Sequence, residues 1–235
     1  MGYLVLVRHG ESRWNLDNKF TGWVDVPLSE AGINEAIIAS NQLKEINFDV
    51  AFTSKLQRAQ ETLLLILAKQ NKTGIFLHNK GKKKIWSKYL TFSKSEIPIF
   101  SSDKINERYY GYLQGMNKNF VRREFGKDQV FIWRRSFDIR PPGGESLKDV
   151  CKRAIPYFEK TIMKEVKSGK NIIVSAHGNS LRAIIKHIDG ISDKDISELE
   201  LPTGKPIIYK WINGKLNVEN HSHSYNRKIS WNQSK

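Results

Sequence analysis

Two histidines, His9 and His177, stand in matching surroundings: each follows a short apolar run and each is followed by glycine. A neutral imidazole is a nucleophile. Phosphoryl transfer to its nitrogen also needs cations and N–H donors around the phosphoryl oxygens, where charge must be held in the transition state. Arg8 and Arg58 supply planar forks that match phosphate geometry. Gly10 and Gly178 would let the backbone approach a ligand closely, and a helix starting after His177 would offer its first N–H groups to the same anion. All of this requires that the two histidines face one crevice.

The elements around them meet that requirement if the strands pair. Tyr3–Val7 and Asn171–Ala176 read as buried strands, because both are continuous apolar runs rich in β-branched residues. Asp49–Ser54 reads as a third strand. Helices are expected from Ser29-Glu30 onward, with Ile33, Ala36, Ile37 and Leu43 inward, and over Leu56–Ala68, with Ala59, Leu63, Ile66 and Leu67 inward. Asn117–Phe125 reads as a short helix. Leu147–Val166 reads as a long one, kinked at Pro156. A further helix follows His177 on Leu181, Ile184, Ile185 and Ile188. Ile207–Ile212 and Lys215–Glu219 flank Asn213-Gly214, a type I′ hairpin signal. Alternating strands and helices predict an α/β fold: a single three-layer domain over residues 1–235, with a mostly parallel central sheet and helices on both faces. Such sheets bind ligands outside the carboxyl ends of their strands.

Lys69–Lys104 shows no clear period and reads as a lysine-rich surface insertion, and residues 220–235 read as a polar, mobile tail. The net charge is +15, which attracts polyanions of any kind. Eight lysines and no acid lie between Lys69 and Ser95, so the basicity is partly local. Cys151 is the single cysteine, which excludes an intramolecular disulfide and favours a reducing compartment. It falls on an apolar helix face, where packing explains it better than catalysis. No apolar run reaches the length of a membrane helix. Arg8 cuts the first run short of a signal peptide, and Leu6 breaks a myristoylation pattern. A cytoplasmic protein is expected.

The residues also carry a family resemblance. Leu6-Val7-Arg8-His9-Gly10-Glu11-Ser12 with Trp14-Asn15 resembles the signature of the histidine phosphatase superfamily, and of its phosphoglycerate mutase branch in particular. The likeness continues through Phe20-Thr21-Gly22-Trp23, Leu28–Gly32, Thr53–Ala59, Ile105–Gly111, Gly115–Lys118, Trp133-Arg134-Arg135, Ala176–Arg182 and Leu201–Gly204. The blocks keep their order and span most of the chain. Departures are the long Lys69–Lys104 connection, Tyr109 where many members have histidine, and a short Arg135–Gly144 segment like that of smaller bacterial members.

The resemblance implies roles. His9 would accept the phosphoryl group, with Arg8, Arg58 and His177 around it. Glu107 would be general acid and base. Asn15, Thr21, Gly22, Gly178 and Asn179 would contact phosphate or substrate oxygens. Arg108, Tyr110, Lys118, Arg134 and Arg135 would grip the carboxylate and distal phosphate. It further implies 2,3-bisphosphoglycerate as primer, no metal, and small phosphoglycerates as partners, with neither nucleic acid nor membrane expected and a homo-oligomer left open. The extra cations Lys118, Arg134 and Arg135 favour a mutase over a phosphatase, because a mutase must hold a multiply anionic acid in two orientations. A phosphohydrolase and a polyanion-binding module remain the alternatives. Lys82-Lys83-Lys84-Ile85-Trp86 with Lys88 and Tyr89 could touch nucleic acid or membrane, and a solvated face is the plainer reading. His221 and His223 fall short of a metal site.

Overall fold

Apolar residues alternate sides along the central strands. In β1 (Tyr3–Arg8), Leu4 and Leu6 enter one core cluster while Val5 and Val7 enter another. A strand with two apolar faces must be covered on both, and helices do the covering. The structure, a computed structural model, describes residues 2–78, 81–87 and 89–220.

One face of the sheet carries α2 (Glu30–Gln42) and α3 (Gln57–Lys69), whose Ala39, Leu43, Leu63, Ile66 and Leu67 pack on Val5, Val7, Ala51 and Ile173. The other carries α7 (Leu147–Tyr157) and α9 (Gly178–Asp189), with Leu147, Val150, Ala154, Leu181 and Ile184 on Leu4, Leu6, Phe52 and Val174. Among the described residues the sheet has seven strands, in the order β3-β4-β2-β5-β1-β6-β7. They are β2 (Val50–Thr53), β3 (Thr73–Leu77), β4 (Glu96–Ser101), β5 (Ile172–Ala176), β6 (Pro206–Ile212) and β7 (Lys215–Asn220), with β1. β3, β4, β2, β5 and β1 run parallel, whereas β6 pairs antiparallel with β1 and β7 antiparallel with β6. The fold is thus the expected three-layer α/β arrangement.

The hairpin turns as its sequence requires, with Asn213 at φ 50° and Gly214 at φ 79°. Ser29 caps α2 by accepting from the Gly32 N–H. Three features differ from expectation. Lys69–Lys104 holds β3 and β4, which extend the sheet. Their short runs, broken by Gly74 and Pro98, hide the period. Within this segment α4 (Gly81–Ser87) exposes Lys82, Lys83, Lys84 and Ile85, while Lys88 lies outside the described residues. Ile33 is exposed rather than inward. Finally, the long helix at Pro156 is three pieces: α7, a π-helical turn over Phe158–Ile162, and α8 (Met163–Lys167). The missing proline N–H removes one rung of the ladder, and the register loosens there. The tail from His221 to Lys235, with His221 and His223, lies outside the described residues.

A small separate core roofs the sheet's carboxyl edge. Phe20, Leu113, Val121 and Val130 pack together beneath α5 (Lys118–Phe125) and α6 (Lys127–Arg135), after a short α1 (Arg13–Leu16) on the same side. Cys151 is buried and its thiol is pushed up to about 11 by desolvation, in keeping with packing. No helix among the described residues is long and apolar enough to cross a membrane.

Asp189 ends α9 and accepts from the Tyr209 hydroxyl at 2.9 Å, yet burial raises its carboxyl to about 6 from 3.8. The folded state therefore holds its proton more tightly than the unfolded one. That contribution to stability is complete below about pH 4 and is lost as pH rises through 6. Asp189→Asn is expected to raise stability at pH 8 by about 1–3 kcal/mol and to leave it nearly unchanged at pH 4. Urea unfolding at the two pH values checks this.

Candidate active site

Strand pairing decides where the histidines stand. β1 and β5 are parallel neighbours with Arg8 opposite Ala176, so His9 and His177 leave adjacent strands at the same level. The His9 N–H donates to the Ala176 carbonyl at 3.0 Å, and the two rings lie 5.0 Å apart. β2 flanks β5 on its other side and feeds α3, whose first turn delivers Arg58.

His9 is 4% exposed and His177 is fully buried. The Nδ1 of His9 lies 2.7 Å from the Gly10 carbonyl oxygen. A carbonyl can only accept, so Nδ1 carries the proton and the lone pair is on Nε2. Arg58 confirms this polarity by donating its Nε–H to His9 Nε2 at 3.3 Å. Burial, then Arg58 and Arg8, hold the His9 pKa well below its ordinary value, so the ring stays neutral near pH 7. His177 is held down in the same way, first by burial and then by Arg58. Its Nε2 meets the Ser54 hydroxyl at 2.7 Å, and that hydroxyl accepts from the Leu56 N–H. If the serine proton goes to Nε2, then Nδ1, which has no protein partner, becomes the ring's donor.

Arg58 is fixed by the Val24 and Gly22 carbonyls at 3.0 and 2.8 Å, and burial lowers its pKa to about 10. Arg8 donates to the Leu201 carbonyl, and its Nε is buried without a partner. Asn15 sits in a capping box with Ser12, where its Oδ1 accepts from both the N–H and the hydroxyl of Ser12. Its amide N–H groups are thereby turned outward as donors.

Glu107 holds the remaining wall. Its Oε1 accepts from the Arg108 N–H, the Asn179 N–H and the Asn179 side-chain amide. One N–H of the α9 start is therefore committed to Glu107 instead of being free for a ligand. Gly10 also departs from expectation: a Cβ there would meet the Gly32 carbonyl at 2.2 Å, so close packing of the two backbones demands glycine. At Gly178 an added Cβ would instead stand 3.7 Å from both Arg8 Nε and Glu107 Oε2, at the cleft wall.

Around this centre the cleft is lined by Arg8, His9, Asn15, Lys19, Phe20, Thr21, Gly22, Arg58, Glu107, Tyr110, Lys118, Arg134, Arg135, Gly178, Asn179, Arg182 and Leu199 to Leu201. That makes seven cations against two acids, Glu107 and Glu200. Burial and the neighbouring Arg134 and Arg8 depress Lys118 to about 8. Such crowding favours an anionic ligand strongly. Of the expected residues only His177 and Arg108 are off the lining. His177 lies beside His9. Arg108 is fully buried beneath the Tyr110 ring, 4.9 Å from its centre, and donates to the Arg134 carbonyl. Among the described residues, no group of three His, Cys, Asp or Glu side chains is placed to hold a metal ion.

Lys19, Ser54, Arg182 and Glu200 belong to the site without having been assigned roles from the sequence. So does Arg153, which donates to the carbonyls of Lys104, Asn106 and Glu107 at 2.9–3.0 Å and pairs with Glu145 through two nitrogens. The Trp23 indole N–H also binds the Glu107 carbonyl, at 2.5 Å. Arg153 looks like an ordinary polar residue of an amphipathic helix in the sequence, because the carbonyls it holds lie almost fifty residues away. Arg153→Gln frees the Glu107 backbone and is expected to lower turnover by about 10–100-fold, with Arg153→Lys recovering part of it. Steady-state kinetics on folded variants checks this.

A cation-lined cleft with two histidines at the carboxyl edge of a mostly parallel sheet points to the class, and the sequence agrees: the profile of the histidine phosphatase superfamily (branch 1) matches residues 4–79 and 89–223, and the chain belongs to that family. Within it, the chain is 49% identical to a protein of Methanosarcina acetivorans named 2,3-bisphosphoglycerate-dependent phosphoglycerate mutase, over 94% of this chain and 96% of that one. It is also 49% identical to a protein of the same name from Chlamydia caviae, over 90% and 94%. Among solved structures, YhfR of Bacillus stearothermophilus matches with a TM-score of 0.73 at 20% identity, over 94% of this chain and 96% of that one. A mycobacterial glucosyl-3-phosphoglycerate phosphatase matches with 0.71 at 19%, over 94% and 98%. At these identities the last two speak for the fold.

Proposed function

We propose that the protein interconverts 3-phosphoglycerate and 2-phosphoglycerate, a step of glycolysis and gluconeogenesis, through a phosphohistidine at His9. The observation that carries the reading is the neutral His9, with its lone pair on a buried Nε2, facing a cleft with cations at both ends. The names of its relatives support the same reaction.

Nε2 of His9 attacks phosphorus; a P–N bond forms and the P–O bond to the leaving hydroxyl breaks. Glu107 gives the leaving oxygen its proton and takes one back from the hydroxyl that attacks phosphohistidine in reverse. The ring gains positive charge on phosphorylation, and the Gly10 carbonyl at Nδ1 stabilises it. Arg8, Arg58, His177 and the Asn15 amide hold the phosphoryl oxygens, and Thr21, Gly22 and Asn179 line the same end. Lys118, Arg134 and Arg135 hold the carboxylate and distal phosphate, while buried Arg108 sets Tyr110 and Arg134. The unpartnered donors at Arg8, Thr21 and Arg182 fit a polyanion with more than one phosphate. When bound, 2,3-bisphosphoglycerate would supply the phosphoryl group that primes His9. No step needs a metal, and a cytoplasmic location suits the substrates.

A phosphorus NMR time course on 3-phosphoglycerate, with and without catalytic 2,3-bisphosphoglycerate, tests the proposal. Formation of 2-phosphoglycerate that depends on the bisphosphate is expected. Accumulation of inorganic phosphate without isomerisation points to a phosphohydrolase instead.

A further inference from the structure

The distal end of the cleft contains a carboxylate. Glu200 lies in the loop between the short helical turn Asp195–Glu198 and β6, on the cleft lining, and its Oε1 is in direct contact with Nη2 of Arg135. Arg135 is largely covered, whereas Glu200 is half exposed. The pair does not stand alone. Glu200 also acts on Arg134 and Arg182, two guanidinia lowered by burial and by the crowding of Arg135 around them. Both Arg134 and Arg182 line the same cleft. Glu107 is the other acid on the lining, and its oxygen is committed at the His9 end to Arg108 and Asn179.

A cluster of covered cations is costly unless an anion stands among them. A ligand carboxylate or phosphate would meet Arg135, beside Arg134, where Glu200 now meets it. We infer that Glu200 is an internal counter-anion of the distal subsite, a specificity-determining residue that the ligand's second anionic group must displace. The inference rests on the proposed reading of the cleft as a phosphoglycerate site, and it deepens that reading. Its chemical consequence is selective. A ligand with one anionic group can sit at His9 and leave the Glu200–Arg135 pair intact. A ligand with two must break it, and on leaving it is replaced by Glu200, which speeds release. A mutase that must let its ligand turn between two orientations gains from such a competitor.

Glu200→Gln removes the charge and keeps the shape. In a His9→Ala background, which prevents turnover, titration calorimetry would compare 3-phosphoglycerate with inorganic phosphate. The expected result is that Glu200→Gln binds 3-phosphoglycerate about 3–10-fold tighter and inorganic phosphate unchanged, with KM falling by a similar factor when His9 is restored. Weaker or unchanged binding of 3-phosphoglycerate overturns the inference: weaker binding would mean that Glu200 serves to orient Arg135. Equal tightening of both ligands overturns it too, because a long-range charge effect would then suffice. If the parent protein binds phosphate but not 3-phosphoglycerate, and Glu200→Gln does the same, the reading of the cleft falls together with the inference. If the parent binds 3-phosphoglycerate and the variant gains nothing, only the inference falls.

Discussion

Replacing His9 with alanine is expected to lower mutase turnover by at least about 10⁴-fold and to abolish phosphoenzyme. The size follows from the geometry. The remaining groups can still bind a phosphorylated acid, because Arg8 and Arg58 are anchored to backbone carbonyls and Arg135 to Glu200, and Arg58 loses only its one contact with the imidazole. None of them is a nucleophile. Binding of 3-phosphoglycerate should therefore survive within about tenfold while chemistry is lost, a split that misfolding could not produce. The wild-type ring should also be insensitive to mild acid. Its pKa is held well below 6.5 by burial and by Arg58 and Arg8, so the neutral, reactive form persists as pH falls from 8 to 6. Phosphoenzyme formation should not decline through imidazole protonation over that range. A rapid-quench assay across pH, with trapped phosphohistidine as the readout, checks both statements.

Glu107→Gln should have the next largest effect, lowering turnover by about 10²–10⁴-fold. Glutamine keeps an oxygen for the Asn179 amide and the Arg108 N–H, so the loop and α9 stay docked. What it loses is the capacity to give and take a proton beside the scissile bond. Unlike His9→Ala, this variant retains its nucleophile, so phosphoenzyme should still accumulate slowly and be poorly discharged to 2- or 3-phosphoglycerate. Acid-labile phosphate counted on the protein in single-turnover experiments separates the two variants.

Much of this site is legible in the chain because it is made of strand ends. β1 and β5 are continuous apolar runs whose carboxyl ends carry His9 and His177, and alternation with helices forces a parallel sheet with those ends on one edge. Arg58 follows from the same logic, one strand further along. What escapes sequence reading is set by tertiary contact. β3 is the edge strand and β4 its inner neighbour, both of mixed polarity, and their pairing, not their pattern, defines them. α6 follows α5 after the single residue Gly126, at φ 82°, and its apolar side is covered only by the small roof core. Gly10 shows how a right residue can be read for the wrong reason: its neighbour is the Gly32 backbone, which no local pattern announces. Arg153, Ser54 and Glu200 act across separations of 46, 123 and 65 residues. Their types are ordinary for their local surroundings, and only the fold gives them partners.

The central claim is that His9 passes its phosphoryl group to a phosphoglycerate hydroxyl and not to water. Protein phosphorylated with labelled 2,3-bisphosphoglycerate, freed of excess ligand and mixed with unlabelled 3-phosphoglycerate, measures that partition in one turnover. Label leaving His9 and appearing in 2,3-bisphosphoglycerate, with little in inorganic phosphate, is the predicted result. Label appearing chiefly as inorganic phosphate, or never residing on His9, would contradict it.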